Sequence, residues 1–388
     1  MNRMLGAIGL LVLTLSTLIS GCTSGTGQPR TTDSWSGASS SATSPSRSSV
    51  APVPPPTSRA PAHPGQAAVL ASGLAVAWGI AFLPDGSALV SERDSHRIVR
   101  VDEHGRVSQP GTVPGVAPAA GEGGLLGLAA SPAFATDHLV YAYLTASSDN
   151  RVVRMSYRNG TLGAAQLVFA GIPKAANHDG GRIAFGPDGM LYVTTGDAGR
   201  PEGAPDRSYL GGKVLRMTPD GRPAAGNPFA GSVIFTLGHR NPQGLAWGPD
   251  GTLYEAEFGQ HALDEINVLR PGADYGWPTV EGTIGPSRPN LRPPLLTFAT
   301  DEASPSGLAF AGGALWLAAL QGERLYQIPL LAPGRLSTPT AVLDHQYGRL
   351  RTVTLAPDGA LWITTSNRDG RGSPVAADDR IIRLPLLG

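Results

Sequence analysis

The chain of 388 residues carries 30 Lys and Arg against 30 Asp and Glu. That balance argues against a polyelectrolyte partner, because a nucleic-acid binder shows a basic excess. Glycine and proline are abundant, at 51 and 35, as turn-rich all-β chains require. A single cysteine excludes an intramolecular disulfide, so packing has to hold the fold, with a bound cation as the remaining aid.

In chain order, Met1 to Met4 supplies a positive start, and Leu5 to Ile19 is an apolar run too short to span a bilayer. It ends in Leu18-Ile19-Ser20-Gly21-Cys22, which matches the bacterial lipobox. Residues 1–21 are therefore expected to be a lipoprotein signal peptide, with Cys22 lipidated and first in the mature chain. An ordinary secretory signal with a chance cysteine is the alternative. Residues 22–66 are Ser, Thr, Pro and Gly with few apolar side chains, too little buried surface to offset ordering entropy. They read as an anchor and tether holding a domain at the extracytoplasmic face of the cell membrane.

Residues 67–388 repeat one unit. Six hairpin segments recur, at Gly79–Glu92, Gly127–Tyr143, Arg182–Thr195, Gly244–Glu257, Gly307–Ala319 and Thr352–Thr365. Four carry an intact Pro-Asp-Gly turn. Each is followed by an alternating apolar strand: HRIVRV, NRVVRM, GKVLRM, DEINVL, ERLYQI and DRIIRL. Fixed order and repeated spacing indicate an all-β, six-bladed β-propeller of four-stranded antiparallel blades. Ring closure is expected to pair Val69–Val76 with the last blade, which leaves no exposed edge. In such a ring, loops from every blade meet over one end of the central channel, where ligands bind.

Polar residues concentrate just before the hairpins, as in Asn177-His178-Asp179-Gly180-Gly181-Arg182 and Gly238-His239-Arg240-Asn241, or just after them, as in Thr195-Gly196-Asp197 and the EFGQHALDEIN and GADYGW stretches. With these motifs the chain resembles the glucose/sorbosone dehydrogenase family, soluble-type aldose dehydrogenases that use pyrroloquinoline quinone (PQQ) and calcium. The resemblance covers roughly Leu74 to Leu386.

It implies roles residue by residue. His178 matches the base that takes the proton of the sugar's anomeric hydroxyl, a task suited to an imidazole. Asp197 matches the carboxylate that orients it. Arg240 and Asn241 match residues facing the quinone carbonyl where charge develops. Gly259 and Gln260 match the pair whose main-chain oxygens bind the catalytic Ca²⁺, and Glu265 with Tyr275 a second, structural calcium position. Arg349 and Arg351 match the pair gripping the PQQ carboxylates. Independently of family, residues two apart on a strand share a face, and two guanidiniums there repel unless water screens them or an anion lies between them. The implied partners are a sugar substrate and a quinone or other external electron acceptor, with the membrane reached through the N-terminal lipid and no nucleic acid.

Three positions depart from the family pattern. Glu122 stands where cofactor-binding members commonly carry a glutamine, Gln321 where glucose-oxidising members carry a lysine, and Thr352 where an aspartate often follows the Arg-x-Arg pair. A carboxylate at 122 would repel a tri-acid. These departures keep open a non-enzymatic propeller lipoprotein that binds a ligand or envelope partner. A propeller-type lactone hydrolase shares the fold but has no use for Arg349 and Arg351.

Overall fold

The structure, a computed structural model, describes residues 60–118, 120–283 and 289–388. The signal peptide, Cys22 and most of the tether lie outside the described residues.

Six antiparallel sheets follow one another along the chain. Their innermost strands are Ala77–Phe82, Leu125–Ala130, Ile183–Phe185, Pro242–Trp247, Pro305–Ala311 and Leu350–Leu355, which number blades I to VI. The hairpin partners are Ala88–Glu92, Leu139–Thr145, Leu191–Thr195, Leu253–Glu257, Ala314–Ala319 and Leu361–Thr365. These are the two strands read from each hairpin segment. The second sequence signature forms the third strand of every blade, as in Arg97–Val101 and Ile381–Leu384. Among the described residues, the longest helix has four residues, Phe134–Asp137. The six-bladed propeller expected from the repeats is the fold observed.

Burial explains the order of strands. The second strands are buried at nearly every position, the third alternate between buried and partly buried, and outer strands such as Val107–Thr112 are largely exposed. Each seam between adjacent blades holds its own apolar cluster, from Leu89, Leu125 and Leu144 between blades I and II to Val90, Trp362 and Ile381 between blades VI and I. The seam between blades III and IV is the thinnest, with seven buried apolar residues, whereas every other seam has eleven or more.

The ring closes through the chain start, as expected, by a shorter strand than Val69–Val76. Ala68–Ala71 pairs with Ile381–Leu384 as the outer strand of blade VI. The main chain of Leu74 exchanges two hydrogen bonds with that of Asp379, and the amide of Val76 donates to Asp379 Oδ2 at 3.1 Å. His63–Pro64, counted with the tether in the sequence, pairs with Leu386–Leu387, so ordered chain begins before residue 67.

Five of the six innermost strands carry a register shift near their start, for instance between Leu125 and Leu128 and between Leu350 and Thr352. Bulges of this kind re-aim the side chains entering a sheet. Residues just before the inner strands, Glu122, His178, Arg240 and Arg349 among them, lie at the mouth of the channel.

Candidate active site

At that mouth a cavity of about 180 Å³ is lined by Glu122, His178, Arg240, Asn241, Gln321 and Arg349, among others. Loops from blades II to VI thus place one polar side chain or more in the same space.

His178 has a φ of 59°, a left-handed conformation uncommon for a residue with a Cβ. The turn is held because the adjoining loop can approach closely: a Cβ on Gly196 would overlap the carbonyl of His178. His178 Nδ1 lies 2.7 Å from Asp197 Oδ1. Asp197 also accepts from the Gly199 amide at 2.8 Å and from Trp277 Nε1 at 2.8 Å. Burial raises its pKa, but the His178 bond and the other donors outweigh that and leave it below the usual carboxylate value. An ionised Asp197 requires the proton on Nδ1, so the Nε2 lone pair is the one free to act as a base.

Arg240 donates from Nη1 to the Gly259 carbonyl at 2.6 Å, and its amide donates to Glu257 Oε2 at 2.8 Å. Its guanidinium sits 5.5 Å from the Trp277 ring centroid, and its buried Nε has no partner among the described residues. Burial lowers its pKa, more than the surrounding carboxylates raise it. Asn241 bridges two loops, accepting from the Gly180 amide at 3.0 Å and donating to Glu122 Oε2 at 3.2 Å. One amide hydrogen of Asn241 remains for a ligand.

The anion that Arg349 and Arg351 need is internal. Asp369 Oδ2 accepts from Arg349 Nη2 at 3.1 Å and from Arg351 Nη2 at 3.4 Å. Asp369 is thus an anion lying between the two, as the strand geometry requires, and its single charge offsets part of theirs. Arg349 lines the cavity, whereas Arg351 lies behind it and donates from Nη1 to Gln243 Oε1 at 3.0 Å. Thr352, in place of an aspartate, donates to the Trp78 carbonyl and accepts from Arg182 Nη2 at 3.1 Å.

Glu122 also differs from expectation. Its Oε1 accepts from Arg371 Nη1 at 3.2 Å, and its Oε2 accepts from the His178 amide at 2.9 Å. Burial raises its pKa, yet Arg371, the His178 amide and Arg351 together hold it below the ordinary value. The carboxylate is ionised, but paired, and it braces the His178 turn.

Residues 74–382 match the family described as Glucose / Sorbosone dehydrogenase. The chain belongs to this family. Among solved structures, the PQQ-bound aldose sugar dehydrogenase of Streptomyces coelicolor is 52% identical, with a TM-score of 0.80 over 84% of this chain and 99% of that one. The quinoprotein glucose dehydrogenase B of Acinetobacter calcoaceticus is 36% identical over 54% of this chain and 50% of its own length, so the chain spans only about half of that relative. The aldose sugar dehydrogenase YliI of Escherichia coli K12 is 28% identical over 76% of this chain and 88% of its own.

The residues that the family resemblance assigns to metals fall in two places. Gly259 offers its carbonyl beside Arg240, while the Gln260 amide is held by Glu281 Oε1 at 2.6 Å. Glu281 Oε1 gathers the amides of His261, Ala262 and Leu263 as well, which fixes this loop with its carbonyls turned from that anion. Glu265 and Tyr275 border a neighbouring cavity that shares Arg240 and Phe258 with the channel mouth as a wall. The Tyr275 hydroxyl is already engaged, donating to the Val268 carbonyl at 2.6 Å and accepting from the Arg270 amide at 2.9 Å. Its main-chain oxygen is the atom available to a cation. Burial and the charge of Glu257 push the Glu265 carboxyl up to about 8.

Sequence reasoning missed Asp369, Arg371 and Trp277 as site residues. Trp277 sits inside the GADYGW motif, so its signal was present. Asp369 and Arg371 follow the second strand of blade VI as Asp197 follows that of blade III. The loops after second strands face the same mouth as those before first strands, and that symmetry was the usable clue.

Proposed function

We propose that this protein oxidises an aldose at C1, using PQQ with calcium and passing the electrons to a quinone or other external acceptor. The observation that carries the reading is the His178–Asp197 pair, 2.7 Å apart, opening on a cavity that Arg240, Asn241 and Arg349 line. The cavity suits an acidic, planar quinone: its wall carries Arg240, Arg349 and Arg371 against Glu122 alone as a carboxylate, and the orphaned Arg240 Nε awaits an acceptor. When bound, PQQ would supply the two-electron acceptor that takes hydride from C1 as the sugar becomes a lactone.

The chain's own residues do the rest. His178 Nε2 takes the C1 hydroxyl proton, and Asp197 stabilises the imidazolium that results. Arg240 offers donors toward developing negative charge in a site shielded by Trp277. Arg349 and Asn241 supply positioning contacts, and the Gly259 and Gln260 carbonyls are hard oxygen donors of the kind calcium takes. We further propose lipid anchoring through Cys22 at the extracytoplasmic face, supported by the lipobox and tether.

The test is titration of the purified protein with PQQ and Ca²⁺, followed by absorbance and by dye reduction with a panel of aldoses. Saturable PQQ uptake with sugar-dependent reduction supports the reading. Absence of both with calcium present overturns it. A Cys22→Ser variant that keeps its acyl label and membrane fractionation would overturn the anchor.

A further inference from the structure

Blades III and IV meet at the seam with the fewest apolar residues, and the space is filled by charge. Glu255 and Glu257 lie two apart on the second strand of blade IV, opposite Asn267 and Glu265 on the third. Because alternate residues of a strand share a face, the three carboxylates point together into the seam. His239 joins them from the loop before the inner strand. All are buried: His239 and Glu255 at 0% exposure, Glu257 at 4% and Glu265 at 8%.

Among the described residues, no Lys or Arg side chain pairs with any of these carboxylates. One amide group, Asn267 Nδ2, donates to all three at 3.1 to 3.2 Å. Among the described residues, Glu255 Oε1 has no partner. Main-chain amides of Arg240 and Gly282 reach Glu257 and Glu265, which leaves Glu255 with the Asn267 amide alone, a buried carboxylate that proteins avoid unless a proton or cation completes it.

We infer that His239, Glu255 and Glu257 form a binding site for a divalent transition-metal ion of the zinc or manganese class, separate from the calcium positions. One ligand atom from each lies within 4.8 Å of the others. His239 Nδ1 is 3.0 Å from Glu257 Oε1, a hydrogen-bond length and equally the ligand–ligand edge of an octahedral shell with bonds of about 2.1 Å. The second ring nitrogen fits the same role: Nε2 lies 2.9 Å from Thr236 Oγ1, which fixes the ring and leaves Nδ1 for the ion. Tyr275 stacks on the imidazole, ring centroids 4.8 Å apart. An imidazole nitrogen among the donors favours a borderline cation over calcium, which takes oxygen. Of the three ligands, Glu257 borders the small cavity beside Glu265 and Tyr275.

The site also has a consequence at the channel mouth. Glu257 holds the ring of His239 with one oxygen and the Arg240 amide with the other. An ion there would clamp the strand end that aims Arg240.

The full chain, stripped with a chelator and dialysed, would be loaded with Zn²⁺, Mn²⁺ or Co²⁺ in excess Ca²⁺, then analysed for metal content and thermal unfolding. We expect one transition-metal equivalent per chain that calcium does not displace, a raised Tm, and visible Co²⁺ bands. Glu255→Gln is nearly isosteric and touches neither Arg240 nor the cavity; it should fold, by circular dichroism, and bind the ion at least tenfold more weakly. The proposal is overturned if the wild-type chain retains no equivalent, if calcium alone displaces it, or if Glu255→Gln binds it undiminished. A Glu255→Gln protein more stable than a metal-insensitive wild type would assign the cluster to shared protons instead.

Discussion

Arg371 Nη1 lies 3.2 Å from Glu122 Oε1 across 249 positions of sequence. That contact decides what a carboxylate at the family's glutamine position does. Unpaired, it would oppose a cofactor carboxylate about 4 Å away by roughly 4 kcal/mol at an effective dielectric near 20. Paired with Arg371, it presents a much smaller field.

Glu122→Gln should therefore tighten PQQ binding only several-fold, where about 1.4 kcal/mol corresponds to tenfold. Arg371→Ala should weaken it by more than Glu122→Gln strengthens it. The Glu122 pKa is lowered despite burial, so the carboxylate stays ionised down through the ordinary acid range. The affinity gap between wild type and Glu122→Gln should be flat from pH 8 to about pH 5. A gap that closes near neutrality, in PQQ titrations across pH, would refute the pairing.

His178→Gln should lower sugar-dependent dye reduction by at least roughly 10²-fold while PQQ still binds. Asp197→Asn should cut kcat comparably through the wrong tautomer, since Asp197 bonds Nδ1. Loss of cofactor affinity in either variant, measured by absorbance titration, would contradict these roles.

Asp369→Asn strips the shared counter-charge from Arg349 and Arg351, both nearly buried. Breaking a buried pair in this way costs about 3–5 kcal/mol. A bound polyanion should restore part of it, so PQQ should raise the Tm of Asp369→Asn by more than it raises that of wild type. Equal shifts in thermal melts would show that the arginines do not meet the cofactor.

Asp379 ties the chain start to blade VI, and burial pushes its carboxyl up to about 6. A folded-state pKa above the unfolded value near 3.9 means the fold holds the proton more tightly. Its contribution is greatest below about pH 4, declines as pH rises to about 6 and is then constant. In urea unfolding, wild type should lose stability relative to Asp379→Asn between pH 4.5 and pH 7. Parallel profiles would rule this out.

The blade scaffold was legible because two signatures, a hairpin with Pro-Asp-Gly in four of six blades and an alternating apolar third strand with Arg in five, recur in buried strands such as Leu361–Thr365 and Ile381–Leu384. The outer strands carry no such mark: Val107–Thr112 is mostly exposed and packs on one side only, so its pattern is barely constrained. The base and its orienting acid were legible because both flank one hairpin. Arg371 was not, because its partner Glu122 lies 249 positions away and meets it only when the first and last blades come together, and Asp369, though within blade VI beside Arg349 and Arg351, sits in a loop with no motif to mark it. In the Glu255, Glu257 and His239 cluster, the two glutamates read as ordinary strand residues until the register sets them on one face with Glu265.

Ring closure makes the order of synthesis matter. The amide of Val76 meets the carboxylate of Asp379 across 303 residues, and the strand completing blade VI is made before any of its partners. Loop-closure entropy and high contact order put this step late in folding. Until Ile381–Leu384 has been made, Ala68–Ala71 has no neighbour and Leu361–Thr365 presents an open edge. A truncation of only a few terminal residues should then unseat both ends of the circle, a penalty far beyond what the number of lost side chains suggests.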